Sequence, residues 1–392
     1  MAWSLDHVQE QLRQEGLDGW LLYVLQNRNP VAEQVLDLPS GQIRTRRAFY
    51  FIPAQGPPTR LEHRIECRTL AGIPGSQRHY LSYDSLRQEL ARLLAGARRV
   101  AMEISPLGAQ PAVSLVDAGT VDLVRSLGVE VVSSADLAQS QIARLRPEQI
   151  RSHFEAAAHL RAAAAAAFAD VALAWRDGRA IDEGQVQAGI MARLEGAGLV
   201  FDHPPIVACG PHSADPHHEP GADGAIGRGQ VLLVDLWARL KEPGSVYADQ
   251  TWMGFTGREV PPEVTAVWEL VKGARRAVRN LVSARLALDK PIQGWEADEA
   301  ARRPIREAGY GERFIHRTGH SIDEEVHGRG ANLDNLETRE ERRLIRGTIM
   351  SVEPGVYLDR FGVRSENNLV IDLDGEVRVA EGTDQEELIL VA

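Results

Sequence analysis

The sequence predicts two units of different class, an α/β domain over residues 1–145 and an α+β domain over 146–392. Three observations carry that division. Strand-like and helix-like stretches alternate through residues 1–140, and a long alanine-rich helix signal opens at Arg146-Pro147-Glu148. The charge is also uneven: residues 1–145 hold 15 arginines and 15 acidic residues, whereas 146–392 hold 29 basic and 40 acidic ones and so carry the whole net charge of −11. A length of 392 residues suits two or three domains at about 100–200 residues each.

The elements follow in order. Residues 5–15 space polar and apolar side chains as a helix does, and Gly16 ends it. Residues 20–25 and 48–52 are apolar runs that read as buried strands, the second closed by Pro53. Leu86, Leu90, Leu93 and Leu94 recur at helical spacing, and 99–102 and 129–132 read again as strands. This βαβ rhythm predicts a mostly parallel sheet. In the second unit Pro147 stands in a first helical turn, where a missing N–H costs nothing. Ile150, Phe154, Ala157 and Ala158 begin an apolar stripe, the alanines of 162–167 favour helix, and Asp177-Gly178 stops it. A second helix carries Val186, Ile190 and Leu194. A third runs from Pro261-Pro262-Glu263 through Val264, Val267, Val271 and Val278, and a fourth covers 296–308. Stretches 204–208, 230–256 and 347–372 are β-rich, so helices and strands segregate as in an α+β domain.

An acidic second half does not suit a nucleic-acid backbone or an anionic membrane. No apolar run approaches the ~20 residues that span a bilayer. The start, Met1-Ala2-Trp3-Ser4, lacks a basic region followed by an apolar core, so no secretory signal is expected. Two cysteines, Cys67 and Cys209, make no disulfide framework, which predicts a reducing, cytoplasmic setting.

Seven of the 12 histidines fall in two windows, 203–218 and 316–327. Histidine is the commonest metal ligand and the usual proton-transfer group. Four acidic residues, Asp235, Asp249, Glu353 and Glu366, interrupt apolar strand stretches, where unpaired charge is costly. Any one alone fits a wet sheet edge. Together with a histidine they form an oxygen-rich set suited to two divalent cations of the manganese, cobalt or zinc kind.

The order Asp235, Asp249, His320, Glu353, Glu366 resembles the metal ligands of the pita-bread metallopeptidases. These include methionine aminopeptidase, Xaa-Pro aminopeptidase, prolidase and the metal-free creatinase. The stretches that carry the resemblance are residues 204–217, Thr318-Gly319-His320, Ser351-Val352-Glu353-Pro354-Gly355-Val356-Tyr357 and Gly362-Val363-Arg364-Ser365-Glu366-Asn367. The resemblance covers 146–392 as the pita-bread catalytic domain, and 1–145 more weakly as a creatinase-type N-terminal α/β domain. It implies two divalent metal ions per chain, manganese first and zinc or cobalt as alternatives. Asp235 would chelate one ion, His320 and Glu353 the other, and Asp249 and Glu366 both, with a hydroxide held between the metals as nucleophile. Glu353 would shuttle its proton. His217 and His327 would hydrogen-bond the scissile carbonyl and the developing oxyanion, although a one-residue shift would exchange His217 and His218. His316 would line the proline-side pocket, Arg364 would orient the carboxylates, and Arg339 resembles, by its distance from Glu353, the prolidase arginine that holds a free carboxylate.

All five ligands are present, which disfavours a creatinase-like role, and the extra N-terminal domain disfavours methionine aminopeptidase. Hydrolysis before proline in Xaa-Pro dipeptides is the first expectation, and a homodimer is implied. A Xaa-Pro aminopeptidase acting on longer peptides and a same-fold enzyme acting on a non-peptide small molecule are the alternatives. A same-fold binding module would have lost ligands. Three segments depart from the family pattern: a longer loop at Lys241-Glu242-Pro243-Gly244, Ser321-Ile322-Asp323 in place of the usual glycines, and His212 in place of an asparagine.

Overall fold

The computed structural model describes residues 4–39, 41–42, 44–221 and 224–392, so residues 1–3 of the start lie outside the described residues. The chain forms two compact units, Met1–Ile142 and Ala143–Ala392.

The first unit is built on a six-stranded sheet in the order Ser76–Tyr80, Thr59–His63, Ala48–Pro53, Gly19–Val24, Arg99–Met102, Glu130–Ser133. Three of its five strand pairings are parallel, as the expectation of a mostly parallel sheet has it, and the other two are antiparallel, so the sheet is mixed. Gly19–Val24 pairs parallel with Arg99–Met102 but antiparallel with Ala48–Pro53, which pairs antiparallel with Thr59–His63. The link between the last two strands, residues 54–58, is too short for the crossover a parallel pair needs. The two strands at that edge, Thr59–His63 and Ser76–Tyr80, are rich in polar and charged residues and so escaped a reading based on apolar runs.

The second unit has two long helix pairs, Pro147–Arg176 with Glu183–Gly196 and Pro262–Ala287 with Gly294–Glu307. Between them runs a sheet in the order Ile389–Leu390, Ala248–Phe255, Val231–Leu240, Leu199–Val200, with Ile206–Cys209 also paired to Val231–Leu240. The alternation of side chains along Val231–Leu240 divides the core in two. Val231 and Leu233 face a cluster with Val267, Val271, Ala297 and Ala301 of the second helix pair. Leu232, Val234, Leu236 and Ala238 face Leu160, Ala164, Val186 and Ile190 of the first. A second sheet runs Ser321–Ile322, Thr348–Val352, Asn367–Ile371, Val377–Arg378, and Gly355–Leu358 and Phe361–Arg364 form a hairpin.

Candidate active site

Asp235 follows Val231 and Leu233 on one strand face, so it stands where that apolar core gives way to polar groups. Thr251 is directly opposite Asp235 and Trp237 is opposite Asp249, which sets the two aspartates diagonally on the same face of the hairpin. In the second sheet Val352 pairs with Asn367, so Glu353 and Glu366 leave adjacent strands at neighbouring points. His320 precedes the Ser321–Ile322 strand, and its backbone N–H donates to Ser351 Oγ at 2.9 Å. The sheets thus bring all five predicted ligands together from four separate stretches. One ligand atom each of Asp249, His320 and Glu366 lies within 4.8 Å of the others. His320 Nε2 is 3.4 Å from Asp249 Oδ2 and 3.5 Å from Glu353 Oε1.

The buried shell around them is hydrogen-bonded in a chain. Arg364 is only 3% exposed. Its Nη2 lies 2.5 Å from Asp235 Oδ2, its Nε donates to Thr251 Oγ1 at 2.9 Å, and its Nη1 to Tyr357 Oη at 3.3 Å. Thr251 in turn donates to Glu366 Oε2 at 2.7 Å. His316 Nδ1 faces the Arg317 carbonyl at 2.7 Å, and a carbonyl only accepts, so that nitrogen carries the proton. Its Nε2 is then the acceptor for the Tyr357 hydroxyl at 2.8 Å. By the same logic His320 Nδ1 donates to the Ser321 carbonyl at 3.1 Å, which turns Nε2 toward the carboxylates; burial disfavours a charged ring, but Asp249 and Glu353 together outweigh it and hold His320 above the ordinary imidazole range.

Burial is the main force lifting the Asp235, Asp249 and Glu366 carboxyls above the ordinary carboxylate range, and the negative charge of Glu353 adds to it. Burial lifts Glu353 too, but the positive charges of His320 and Arg364 and the Ser351 hydrogen bond help to outweigh it, and the carboxyl is held below the ordinary range. Burial pushes His316 down, and His327 down to about 4. The His327 ring meets His320 edge-on with centroids 4.5 Å apart.

The residues fit a pair of divalent cations. Four carboxylates and an imidazole are hard oxygen and nitrogen donors. Asp235 Oδ1 is buried without a hydrogen-bond partner among the described residues. Cations would supply that oxygen with a partner and reverse the repulsion that lifts its neighbours.

Residues 152–372, more than half of the chain, match metallopeptidase family M24. The chain belongs to that family. It is 29% identical over 201 residues to a probable dipeptidase PepE of Mycobacterium tuberculosis, covering 50% of each chain. It is 30% identical over 177 residues to a Xaa-Pro dipeptidase of Pyrococcus furiosus, covering 45% of this chain and 47% of that one. The chain spans about half the length of the curated relatives it matches. Among solved structures, dipeptidase PepE from Mycobacterium ulcerans superposes with a TM-score of 0.63 at 26% identity, over 99% of this chain and 96% of that chain. The fold is the pita-bread fold of M24 enzymes.

Two predicted residues of this M24 chain are not brought to the cluster. Arg339 is exposed; its guanidinium stacks 4.1 Å over Trp295 and donates to Asn335 Oδ1 at 2.8 Å, and these contacts hold it away from the carboxylates. His217 stands on an exposed turn, its backbone N–H donating to Asp215 Oδ1 at 3.0 Å, and no bond joins its imidazole to the cluster among the described residues. His218 is engaged elsewhere, with Nε2 at 2.8 Å from Glu183 Oε2. Three residues the sequence reading missed complete the M24 site: Thr251, Ser351 and Tyr357. Ser351 donates to Glu353 Oε1 at 3.0 Å. Thr251 and Ser351 each lie two residues from a predicted ligand in a strand, a period-2 signal that was available in the sequence.

Proposed function

We propose that this chain hydrolyses the peptide bond before proline, with Xaa-Pro dipeptides as its substrates. The convergence of Asp249, His320 and Glu366, flanked by Asp235 and Glu353, is the observation that carries the reading. Asp235, Asp249, His320, Glu353 and Glu366 hold two divalent cations, manganese being the first choice. When bound, such a pair acidifies water and polarises a carbonyl. Glu353, the carboxyl held in its ionised form, accepts the proton of the attacking water and passes it to the leaving nitrogen. His327, neutral because of its burial, offers an N–H to the oxygen that gains charge. Of the two neighbouring histidines, His217 rather than His218 is assigned the contact to the carbonyl, because His218 is committed to Glu183. His316, fixed by Tyr357 and thereby by Arg364, forms the wall of the proline side. The relatives, a probable dipeptidase and a Xaa-Pro dipeptidase, support the substrate class. Residues 1–145 serve as a creatinase-type N-terminal domain, the working form is a homodimer, and the setting is cytoplasmic.

One observation favours a second reading. With Arg339 held against Trp295, no predicted arginine is left to read a free substrate carboxylate, which suits a Xaa-Pro aminopeptidase acting on longer peptides. Initial rates on Ala-Pro and Ala-Pro-Ala, with manganese, cobalt and zinc in turn, separate the two. Faster cleavage of the dipeptide supports the first reading. Turnover of neither by a chain holding two metals refutes both. Asp249→Ala and Glu366→Ala are each expected to lower kcat at least a thousandfold in this assay, and an active variant would refute the assignment of that residue as a ligand to both ions.

A further inference from the structure

A second convergence of ligand-type side chains lies outside the carboxylate cluster, at the start of the Glu183–Gly196 helix. Glu183 is fully buried. Its Oε1 is 2.9 Å and its Oε2 3.1 Å from His212 Nδ1, and Oε2 is 2.8 Å from His218 Nε2. The two imidazoles are stacked, with centroids 4.4 Å apart and planes 22° from parallel. One donor atom from each of the three residues lies within 4.8 Å of the other two. The Cys209 backbone N–H donates to Glu183 Oε1 at 2.7 Å and so fixes the carboxylate's orientation from behind.

The charge balance points to a cation. Two other buried carboxylates of this unit are matched by a guanidinium, Asp298 at 2.9 Å from Arg302 and Glu340 at 2.6 Å from Arg342, whereas buried Asp334 is held by three backbone N–H groups and the Thr338 hydroxyl. Among the described residues Glu183 has no lysine or arginine partner, and its ion-pair partners are His212 and His218. An imidazole does not carry the fixed charge of a guanidinium. A buried charge needs compensation, and a divalent ion supplies it. A tetrahedral zinc ion about 2.0–2.1 Å from each donor sets its ligands about 3.3 Å apart. The carboxylate–imidazole pairs here, at 2.8–3.1 Å, need to open by only a few tenths of an ångström, and all three donor atoms lie within 4.8 Å of one another. The side chains of His212 and His218 are 28% and 12% exposed, which leaves an open side for a water ligand.

We propose that Glu183, His212 and His218 form a third metal site, for a single zinc-class ion, separate from the carboxylate cluster. Its ligands bracket His217. The 3-10 turn Gly210–Ala214, which carries His212, also rests on the Phe361–Arg364 strand, where Gly362 N donates to Ser213 Oγ at 2.9 Å. The ion thus ties the turn that carries His217 to the start of a helix. Its role is positioning.

The test is metal stoichiometry on the full chain, loaded with zinc, freed of excess by gel filtration and read by elemental analysis. The expected values are about three ions per chain for wild type, about two for Glu183→Gln, and about one for Asp249→Ala combined with Glu366→Ala. An unchanged zinc count in Glu183→Gln overturns the proposal. If that variant does not fold, His212→Asn and His218→Tyr carry the same test. In the Asp249→Ala/Glu366→Ala background, cobalt is expected to give the intense visible absorption of a four-coordinate site, lost on adding His212→Asn. No such absorption overturns the proposal. An ion that depends on Glu183 but not on Asp249 or Glu366 keeps this site distinct from any failure of the dinuclear reading.

Discussion

At the scale of single residues, the site depends on one hydroxyl. Thr251 Oγ1 accepts from Arg364 and donates to Glu366, so it links the buried guanidinium that touches Asp235 to a carboxylate on the facing sheet. Replacing it with valine keeps the shape and removes both bonds. Glu366 Oε2 then loses its donor, and the Arg364 side chain loses one of the three partners that aim it. Outer partners of this kind typically change metal affinity by about 10–100-fold. Thr251→Val is therefore expected to weaken manganese binding by about that factor in a calorimetric titration, with Thr251→Ser recovering most of it. Equal affinity in wild type and Thr251→Val would show that Glu366 is held without the hydroxyl. The clustered carboxylates were legible in the sequence because a carboxylate in an apolar strand is a local anomaly. Thr251 and Ser351 were not noticed, since a hydroxyl in a strand is ordinary and its meaning comes from the partner on the other sheet. Arg339 shows the reverse limit: its distance in sequence from Glu353 matched a role, but Trp295, brought up by a different helix, provides its resting place.

Among the elements, the Pro147–Arg176 helix carries the most information. It is the one described helix long and apolar enough to cross a membrane. Its apolar residues are not uniformly outward, however: Ala156, Ala157, Leu160, Ala163, Ala164, Ala167, Phe168 and Val171 are buried in the core shared with Val207, Val234 and Leu236. Alanine on that face lets the helix approach the sheet closely, and Gln250 Nε2 reaches the Ala157 carbonyl at 3.0 Å. Added bulk on the buried face therefore has nowhere to go. Ala164→Leu is expected to destabilise the second unit by about 1–3 kcal/mol, as overpacking usually does, whereas Ala165→Leu, on an exposed position, is expected to change it by less than about 0.5 kcal/mol. Urea unfolding followed by tryptophan fluorescence measures both; equal effects would contradict core packing of this face. The long helices were legible for the reason that makes them stable, a continuous apolar stripe with Pro147 at one end and Asp177-Gly178 at the other. The edge strand Ser76–Tyr80 and its neighbour Thr59–His63 were not, because they are held by neighbouring backbones and their side chains carry little apolar signal.

At the scale of the whole chain, one buried group in each unit, Glu103 and His153, carries a shift of opposite sense. In the first, Glu103 is 1% exposed and accepts from Trp20 Nε1 at 2.7 Å, Asn29 Nδ2 at 2.7 Å and Ser134 Oγ at 3.0 Å. Burial outweighs those donors and lifts its carboxyl above the ordinary 4.5. In the second, His153 is fully buried with Nδ1 donating to the Tyr247 carbonyl at 2.7 Å, while Nε2 has no partner among the described residues. Burial pushes His153 down to about 4. The signs follow from linkage. A carboxyl whose folded pKa is raised gives stability that is fully present below the unfolded value near 4.5 and is lost as pH rises through the folded pKa. A histidine whose folded pKa is lowered gives stability that is fully present above 6.5 and is lost as pH falls from there to about 4, because the unfolded chain takes up a proton that the folded one refuses. Between pH 6.5 and 4.5, acidification is therefore expected to raise the Glu103 contribution and lower that of His153. The full His153 effect is about 3 kcal/mol at about 1.4 kcal/mol per pH unit. Amide hydrogen exchange in the Gly19–Val24 strand reports on the first unit and exchange in the Pro147–Arg176 helix on the second. The difference between wild type and Glu103→Gln is expected in the strand amides and to shrink as pH falls. That between wild type and His153→Gln is expected in the helix amides, with the wild type losing ground as pH falls. Differences of the same sign in both units would mean that one of the two buried groups is held in the other protonation state.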